Sequence, residues 1–592
     1  MCNRHSSSPA AIAGGNASWL ATALALVAAL ALPAQAREQS SLGGLKITAD
    51  RVPDWHHLDH LPLDTTSWSV TNVPCGNSSA IRSAIRSAQR NTVVQLAASC
   101  TYVFATSSSF LLDKSRVVVR GAGPGSTILE FQHNDSSAIV LGLIGWPRNQ
   151  VFGDARSWTD GYALGDRVLS VASTSGLRVG AWVRLRANNE PDWHGNARNG
   201  YSAKLVCVGS SGADSCGSLS SNEVKLDWPL NSVFTQGGQV LERVTGHFVE
   251  FAGIENLRIQ HSTPDRIESY RPRIEIEDCH ECWVTSITVG DAGNSHISIR
   301  DSSRVLMRGN EFGSNQCTNN GKTCLWNKGA VYWNDHAYDT VFENNSVVDT
   351  PSGPLLQNGG GNVVAYNYLT ASPSVQCERH IFLHGQAVRA SLIEGNDVSC
   401  MMQWDSFRGG QGYYNTFYRN RLRDTPETGA SYPGYYRGRI GGEIQGSFIH
   451  RYIQVIGNHA NELRGGPFVT GLGLDHSRAP TEYHYRTWVS YNVARSNIEL
   501  DPRATESTDI ENRVGTSMPS VWNGIDFPRS LYRLAEHGPP SWWCSESGPF
   551  PNIGAMSDST GSYSKLPAQI RLEGGACTTD TSAPLPARLL ED

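Results

Sequence analysis

Lysine is scarce in this chain of 592 residues: seven of its 49 basic residues are lysine, and the other 42 are arginine. The net charge is −6, so the chain lacks the basic excess that favours binding along a nucleic acid backbone. Charged residues make up only 18% of the sequence, and hydrophobic residues make up 39%. This balance excludes an intrinsically disordered protein and predicts one with a buried apolar core.

Long apolar runs are absent after residue 36. The remainder is therefore predicted to have no membrane-spanning helix, since such a helix needs roughly 18 apolar residues. Residues 1–36 combine Arg4, an apolar run from Leu20 to Leu32 and the ending Ala34-Gln-Ala36. This pattern is typical of a bacterial signal peptide, so we expect cleavage near Ala36 and a secreted protein, periplasmic or extracellular. We also expect a monomer.

All 13 cysteines except Cys2 follow the predicted signal peptide, and an even number in an exported protein predicts disulfide bonds. The candidate pairs are Cys75 with Cys100, Cys207 with Cys216, Cys279 with Cys282, Cys317 with Cys324, Cys377 with Cys400, and Cys544 with Cys577. The spacing Cys279-His-Glu-Cys282 also suits zinc, but no second ligand pair accompanies it, so a disulfide is favoured. No metal site is predicted, and calcium is left open as a cofactor.

A repeated Asn-x-apolar pattern runs from about residue 248 to residue 492. Its asparagines lie 22 to 38 residues apart and are Asn310, Asn345, Asn367, Asn396, Asn420, Asn458 and Asn492. The shortest spacing matches one coil of a right-handed parallel β-helix, and the longer ones indicate coils with loop insertions. Stacked asparagines at a coil corner satisfy turn backbone groups and one another. We therefore assign this ladder a structural role.

The flanks of the repeat define the rest of an all-β fold. Ser79–Gln89 has the apolar spacing of a helix, which would cap the open end of the coil stack. Alternating strands interrupt the repeat and predict a small inserted β-rich domain. The predicted divisions are 1–36 signal peptide, 37–157 cap and first coils, 158–245 insertion, 246–500 main β-helix, and 501–592 irregular C-terminal tail.

Alternation within the strands predicts which side chains face outward. In Ile274-Glu-Ile-Glu277 the isoleucines face the core and the glutamates face outward. The same rule predicts one polar row along a single sheet, roughly 30 Å long at about 4.8 Å per coil. This polar row comprises Glu275 and Glu277, Arg300, Asn334, Gln357, His384, Asp405 and Glu443.

The segment His384–Asn396, followed by Asp405 and Thr416-Phe-Tyr-Arg-Asn420, resembles the pectate-lyase-like β-helix proteins, which include secreted bacterial polysaccharide-degrading proteins. The helix and glycine-rich turn within 79–127 resemble the start of the same proteins. The resemblance implies a right-handed parallel β-helix and a polysaccharide substrate. The polygalacturonases of this family would need an Asp-Asp pair, which this sequence does not contain, so that branch is disfavoured.

Several chemistries fit the polar row. A uronate lyase needs a base, a positive group and a proton donor. His384 is the predicted base, oriented by Asp405, with Arg300 or Arg408 neutralising the uronate carboxylate. A glycoside hydrolase would instead use Asp405 and Glu443, roughly 5 Å apart on adjacent coils as in a retaining enzyme. A C5-epimerase would share the first proton abstraction, and a non-catalytic solenoid would only bind.

The abundance of arginine near the row favours an acidic polysaccharide, and hence the lyase, because guanidinium groups pair with carboxylates. Aromatic side chains add surfaces on which sugar rings stack. The predicted substrate-binding residues are Asn334, His336, Gln357, Arg389, Tyr435, Tyr436, Arg437 and Arg439.

Overall fold

The computed structural model describes residues 53–467 with gaps, and shorter segments between 484 and 577. The gaps of five or more residues are 56–60, 133–137, 143–152, 188–198, 210–218, 263–271, 324–328, 372–378, 406–413, 424–438 and 444–449. The predicted signal peptide lies outside the described residues. No helix within the described part of the chain is long and apolar enough to span a bilayer.

Three long parallel sheets wind around one core, and a coil contributes one strand to each sheet. Sheet 1 consists of Ser69–Val73, Thr92–Leu96, Val117–Arg120, Gly253–Glu255, Trp283–Thr285, Leu306–Arg308, Val341–Glu343, Val363–Ala365, Leu392–Glu394, Thr416–Tyr418, Gln454–Ile456, Trp488–Ser490 and Thr508–Ile510. Every neighbouring pair in sheet 1 is parallel, as in Trp283–Thr285 with Leu306–Arg308. The connections between them pass through the other two sheets.

Sheets 2 and 3 complete the coils and merge at His459–Pro467, which pairs with strands of both. Sheet 2 consists of Cys100–Phe104, Thr127–Phe131, Arg258–His261, Thr288–Val289, Glu311–Phe312, Ser346–Val348, Tyr368–Thr370, Asp397–Val398, Arg421–Leu422, His459–Pro467, Val493–Glu499 and Arg513–Val514. Sheet 3 consists of Phe110–Leu112, Ile139–Gly142, Ile274–Glu277, Ser295–Arg300, Gly329–Asp335, Leu355–Gly360, Arg379–Arg389, Met401–Asp405 and Arg439–Glu443.

The predicted pectate-lyase-like parallel β-helix is confirmed by this topology. Inward side chains of successive coils stack into one continuous core, and Ile274, Ile276, Ile297 and Ile299 are fully buried in it. Burying each such side chain contributes about 2 kcal/mol, and β-branched residues suit the pleated strand. The handedness follows the right-handed rule for crossovers between parallel strands.

The predicted cap is also confirmed. Helix α1 spans Ser78–Ser87 and buries Ile81, Ala84 and Ile85 against the first coils. These residues lie three and four positions apart, so they form one face of the helix. The open end of the core is therefore covered by an apolar helix face.

The asparagine ladder forms at the corner between sheets 1 and 2. The backbone N–H of Asn310 donates to Oδ1 of Asn345 at 2.9 Å, and that of Asn345 donates to Oδ1 of Asn367 at 2.9 Å. The same bond repeats through Asn396 and Asn420 to Asn458, at 2.9–3.0 Å. The side-chain amides also donate to carbonyls of the sheet 1 strands, as from Asn367 to Phe342 and from Asn396 to Val364, so these buried backbone groups are paired. Asn492 lies outside the described residues.

The inserted domain is a closed antiparallel barrel of six strands. These are Arg156–Asp160, Val168–Val171, Trp182–Ala187, Asn199–Val208, Glu223–Leu226 and Gln239–Arg243. Closure leaves no strand edge open, which suits a small domain carried on a solenoid. Three further two-stranded pairings join Val249–Glu250 with Cys279–His280, Thr318–Asn319 with Lys322–Thr323, and His450–Arg451 with His484–Tyr485.

Chain segments from both ends cover the outer face of sheet 1. The indole N–H of Trp55 donates to the carbonyl of Ala390 at 2.8 Å, and the backbone N–H of Leu531 donates to Glu394 at 2.8 Å. Burial raises the pKa of Glu394 against the hydrogen bonds that it accepts. Strands of sheets 1 and 2 continue to residue 514, and Pro567–Leu572 forms a second helix, α2. The described C-terminal residues are thus part of the folded body.

Three of the predicted disulfides are present: Cys75–Cys100, Cys279–Cys282 and Cys544–Cys577. The Cys279–Cys282 bond confirms the preference for a disulfide over zinc. Cys207 and Cys400 are disulfide-bonded as well. Their predicted partners, and the pair Cys317 with Cys324, lie outside the described residues.

Acid is expected to destabilise this fold through buried histidines. Burial, and then Arg273, lower the pKa of His296 to about 3. Since an unfolded histidine titrates near 6.5, the unfolded chain binds the extra proton between these pH values. The contribution of His296 to the free energy of unfolding is therefore fully present above about pH 6.5. It is lost as the pH falls toward the folded-state pKa, by up to about 1.4 kcal/mol per pH unit.

The variant His296→Leu should lose less stability than the native chain between pH 7 and pH 4, because the titrating group is gone. Thermal melts across this range measure the difference. Identical slopes for the two proteins would show that His296 does not contribute.

Candidate functional site

The polar row lies on sheet 3, and the strand register aligns its members. Glu277 is the Cα partner of Arg300, and Asp405 is the Cα partner of Glu443. Leu356 pairs with Leu383 and Leu383 pairs with Trp404. The residues that follow these three inward side chains are Gln357, His384 and Asp405, so they occupy adjacent outward positions.

One member of the row requires a correction. Arg300 pairs with Asp335, whereas the preceding Ile299 pairs with Trp333. A bulge in the Gly329–Asp335 strand inserts one residue at this point, so Asp335 takes the position that strict alternation gives to Asn334. The side chains of Asn334 and Asp335 lie outside the described part of the structure.

The centre of the site is a histidine–aspartate pair on neighbouring coils. His384 Nδ1 lies 2.6 Å from Asp405 Oδ2, and the backbone N–H of Gly385 donates to Asp405 Oδ1 at 2.7 Å. The side chain of Asp405 is 1% exposed and that of His384 is 19% exposed. Gly385 has a φ of +85°, a backbone conformation that glycine adopts without strain. The aspartate is therefore fixed, and the imidazole remains accessible.

This arrangement selects one tautomer of the imidazole. An ionised carboxylate only accepts hydrogen bonds, so Nδ1 of His384 must be the donor to Asp405. In the neutral ring the lone pair then resides on Nε2. The pair thus has the composition of a general base and the carboxylate that orients it.

Phe382 lies between two of its neighbours in this strand, because its ring contacts both His384 and Arg379. Phe382 occupies the outward position two residues before His384, and their ring centroids are 4.7 Å apart. The guanidinium carbon of Arg379 lies 4.5 Å from the centroid of the Phe382 ring, and Arg379 is half-buried. Sequence reasoning missed Arg379 because alternation places it on the inward side with Ile381. A register shift between these two residues breaks that alternation.

Two predicted substrate-binding residues lie away from the row, at the corner that faces the barrel. His336 Nδ1 is 2.9 Å from Asp301 Oδ1, and its Nε2 is 3.5 Å from a guanidinium nitrogen of Arg184 in the barrel. His336 is 5% exposed, and Arg389 is 7% exposed. Both side chains are therefore packed within the protein. No signal in the sequence indicated which loops or domains would cover this corner.

The remaining predicted residues divide into two groups. Gln357 is buried in the row and accepts a hydrogen bond from the hydroxyl of Tyr332, while Arg300 is 29% exposed and lies 3.8 Å from Glu277. The side chains of Arg439 and Glu443 lie outside the described part of the structure, and so do the residues Arg408, Tyr435, Tyr436 and Arg437. Among the described residues, no group of three or more His, Cys, Asp or Glu side chains is placed to hold a metal ion.

No protein-family model matches this sequence, and no curated protein is a significant relative of it. Solved structures give distant similarities. The exopolygalacturonase of Thermotoga maritima is 9% identical with a TM-score of 0.38, covering 77% of this chain and 94% of that one. The alginate lyase of Paenibacillus sp. is 11% identical with a TM-score of 0.27, covering 75% and 99%. The tailspike gp49 of Pseudomonas phage LKA1 is 11% identical with a TM-score of 0.38, covering 74% and 72%. Similarities this distant carry no argument about activity.

Proposed function

We propose that this protein is a secreted lyase that cleaves a uronate-containing polysaccharide by β-elimination, with His384 as the base. The observation that carries the proposal is the state of Asp405. Both of its carboxylate oxygens accept hydrogen bonds, one from His384 and one from the Gly385 backbone, and the side chain is buried. Asp405 therefore serves to orient the imidazole, and His384 is the member of the pair that a substrate can reach.

The reaction begins at the carbon next to the uronate carboxylate. Nε2 of His384 takes the proton from C5, and the electron pair of that C–H bond forms the C4–C5 double bond. The C4–O bond breaks, its electron pair stays on the leaving oxygen, and that oxygen takes up a proton. Asp405 stabilises the imidazolium that forms, because its negative charge lies 2.6 Å from Nδ1.

The hydrolase alternative is disfavoured by the same contacts. A retaining glycosidase needs two carboxyl groups that reach the sugar, one as acid and one as nucleophile. Asp405 is 1% exposed and is hydrogen-bonded to His384. To act on the sugar together with Glu443, Asp405 would have to break that hydrogen bond. An epimerase would share the proton abstraction by His384 and return a proton without breaking the C4–O bond.

The reaction type can be read from two signals in one assay. The purified protein is incubated with uronate polymers and with neutral polysaccharides, and ultraviolet absorbance and new reducing ends are followed together. We expect both signals in equal molar amounts from a uronate polymer, because each elimination creates one conjugated double bond and one reducing end. Reducing ends without absorbance would establish hydrolysis. Inversion at C5 with neither signal would establish an epimerase.

We expect the protein to act outside the cytoplasm. The signal-peptide pattern of residues 1–36 and the disulfides support export of the protein. A polymer too large to enter the cell is then available as substrate. We propose that the protein acts as a monomer, since its core and its site are both built within one chain.

A further inference from the structure

We infer that Arg379, rather than Arg300, neutralises the carboxylate of the uronate whose C5 proton is removed. This inference rests on the proposed function and deepens it, because it assigns the group that recognises the acidic sugar at the reacting position. Nothing in the sequence pattern had pointed to Arg379. Its position follows from the contacts of one aromatic ring.

Phe382 links Arg379 to the base. The guanidinium carbon is 4.5 Å from the Phe382 centroid, and the imidazole centroid of His384 is 4.7 Å from the same point. The guanidinium carbon therefore lies within about 9 Å of the imidazole centre, whatever the angle between the two contacts. Arg379 is half-buried and Phe382 is 4% exposed, so the charge lies in a partly desolvated environment beside the ring.

One bound uronate fits within this upper limit. The path runs from the guanidinium carbon through the sugar carboxylate and C5 to the imidazole centre. It spans roughly 8–9 Å when Nε2 lies within hydrogen-bond distance of the C5 proton. Proton removal moves negative charge onto the carboxylate, so a fixed cation there stabilises the transition state more than the ground state. In a partly desolvated site that stabilisation exceeds its value in water.

Arg300 lies too far along the row for this role. Three coil spacings separate its position from that of His384, passing through Asp335 and Gln357. At about 4.8 Å per coil, the distance along the sheet is about 14 Å, which exceeds the reach of one sugar carboxylate.

The test compares Arg379→Gln with the native protein on two forms of one polymer, the free uronate and its methyl ester. The ester has no negative charge to neutralise, yet its C5 proton can still be removed by His384. We expect Arg379→Gln to lower kcat/KM on the free acid by about 10²-fold and on the ester by less than about 3-fold. Absorbance of the double bond measures both rates. Arg258→Gln, an exposed arginine on sheet 2, is the matched control and should change neither.

The outcomes separate the two proposals. Equal losses on acid and ester would show that Arg379 acts only by supporting Phe382 and His384, and would overturn the inference while leaving the lyase intact. Unchanged activity of Arg379→Gln on the free acid would overturn it as well. If the native protein forms no double bond from either polymer, the proposed function fails and the inference fails with it.

Discussion

His384→Ala is expected to lower kcat on a uronate polymer by about 10²–10⁴-fold, the usual contribution of a positioned general base. The residue is 19% exposed, so its removal should lower the melting temperature only modestly, even though Asp405 loses one hydrogen bond. The initial rate of double-bond formation measures the loss. A variant that folds and retains full activity would place the site elsewhere.

Asp405→Asn should cause a loss in the same range, although the side chain keeps its shape. The amide loses the negative charge that stabilises the imidazolium, and its NH₂ group can turn toward Nδ1 and favour the wrong tautomer. Because the two residues act as one unit, the double variant should be little slower than His384→Ala alone. Losses that multiply in the double variant would show that Asp405 acts independently of His384.

Arg304→Met is expected to have the largest effect on stability, about 3–5 kcal/mol, because it leaves buried carboxylates without their cation. Arg304 is 1% exposed and lies where the barrel packs on the β-helix. Its guanidinium nitrogens are 2.5 and 2.8 Å from the carboxylate oxygens of Asp227, a barrel-side residue, and 3.2 Å from Glu281. The guanidinium carbon of Arg304 also lies 3.3 Å from the ring centroid of Trp228.

The charge states support this expectation. Burial opposes charge on both groups, but Arg304 holds the pKa of Asp227 below its usual value, and Asp227 in turn raises the pKa of Arg304. Thermal melts and limited proteolysis of the barrel would measure the loss. Arg178→Met, an exposed arginine of the same barrel, is the control and should change little. Adding Asp227→Leu to Arg304→Met should recover part of the loss, and a further large loss would contradict the proposed ion-pair role.

The sequence by itself determined the repeating architecture. The Asn-x-apolar spacing and the strict alternation of strands such as Ile274–Glu277 depend on neighbours in the chain and on a fixed coil period, which are properties of sequence. The same holds for α1, whose apolar face is local. His384 and Asp405 were paired in this way, because the register of one coil on the next follows from the inward side chains.

Only the tertiary structure decided which other polar residues could lie near His384 and Asp405. Bulges at Asp335 and before Ile381 changed the side to which single residues turn, and they are seen only in the pairing of strands from neighbouring coils. The barrel covers His336, which alternation and composition had placed among the substrate-binding residues. Arg379 comes to lie near His384 only because both residues contact the ring of Phe382. Spacing within a coil is a local property, whereas burial and the environment of a charge depend on everything that packs around it.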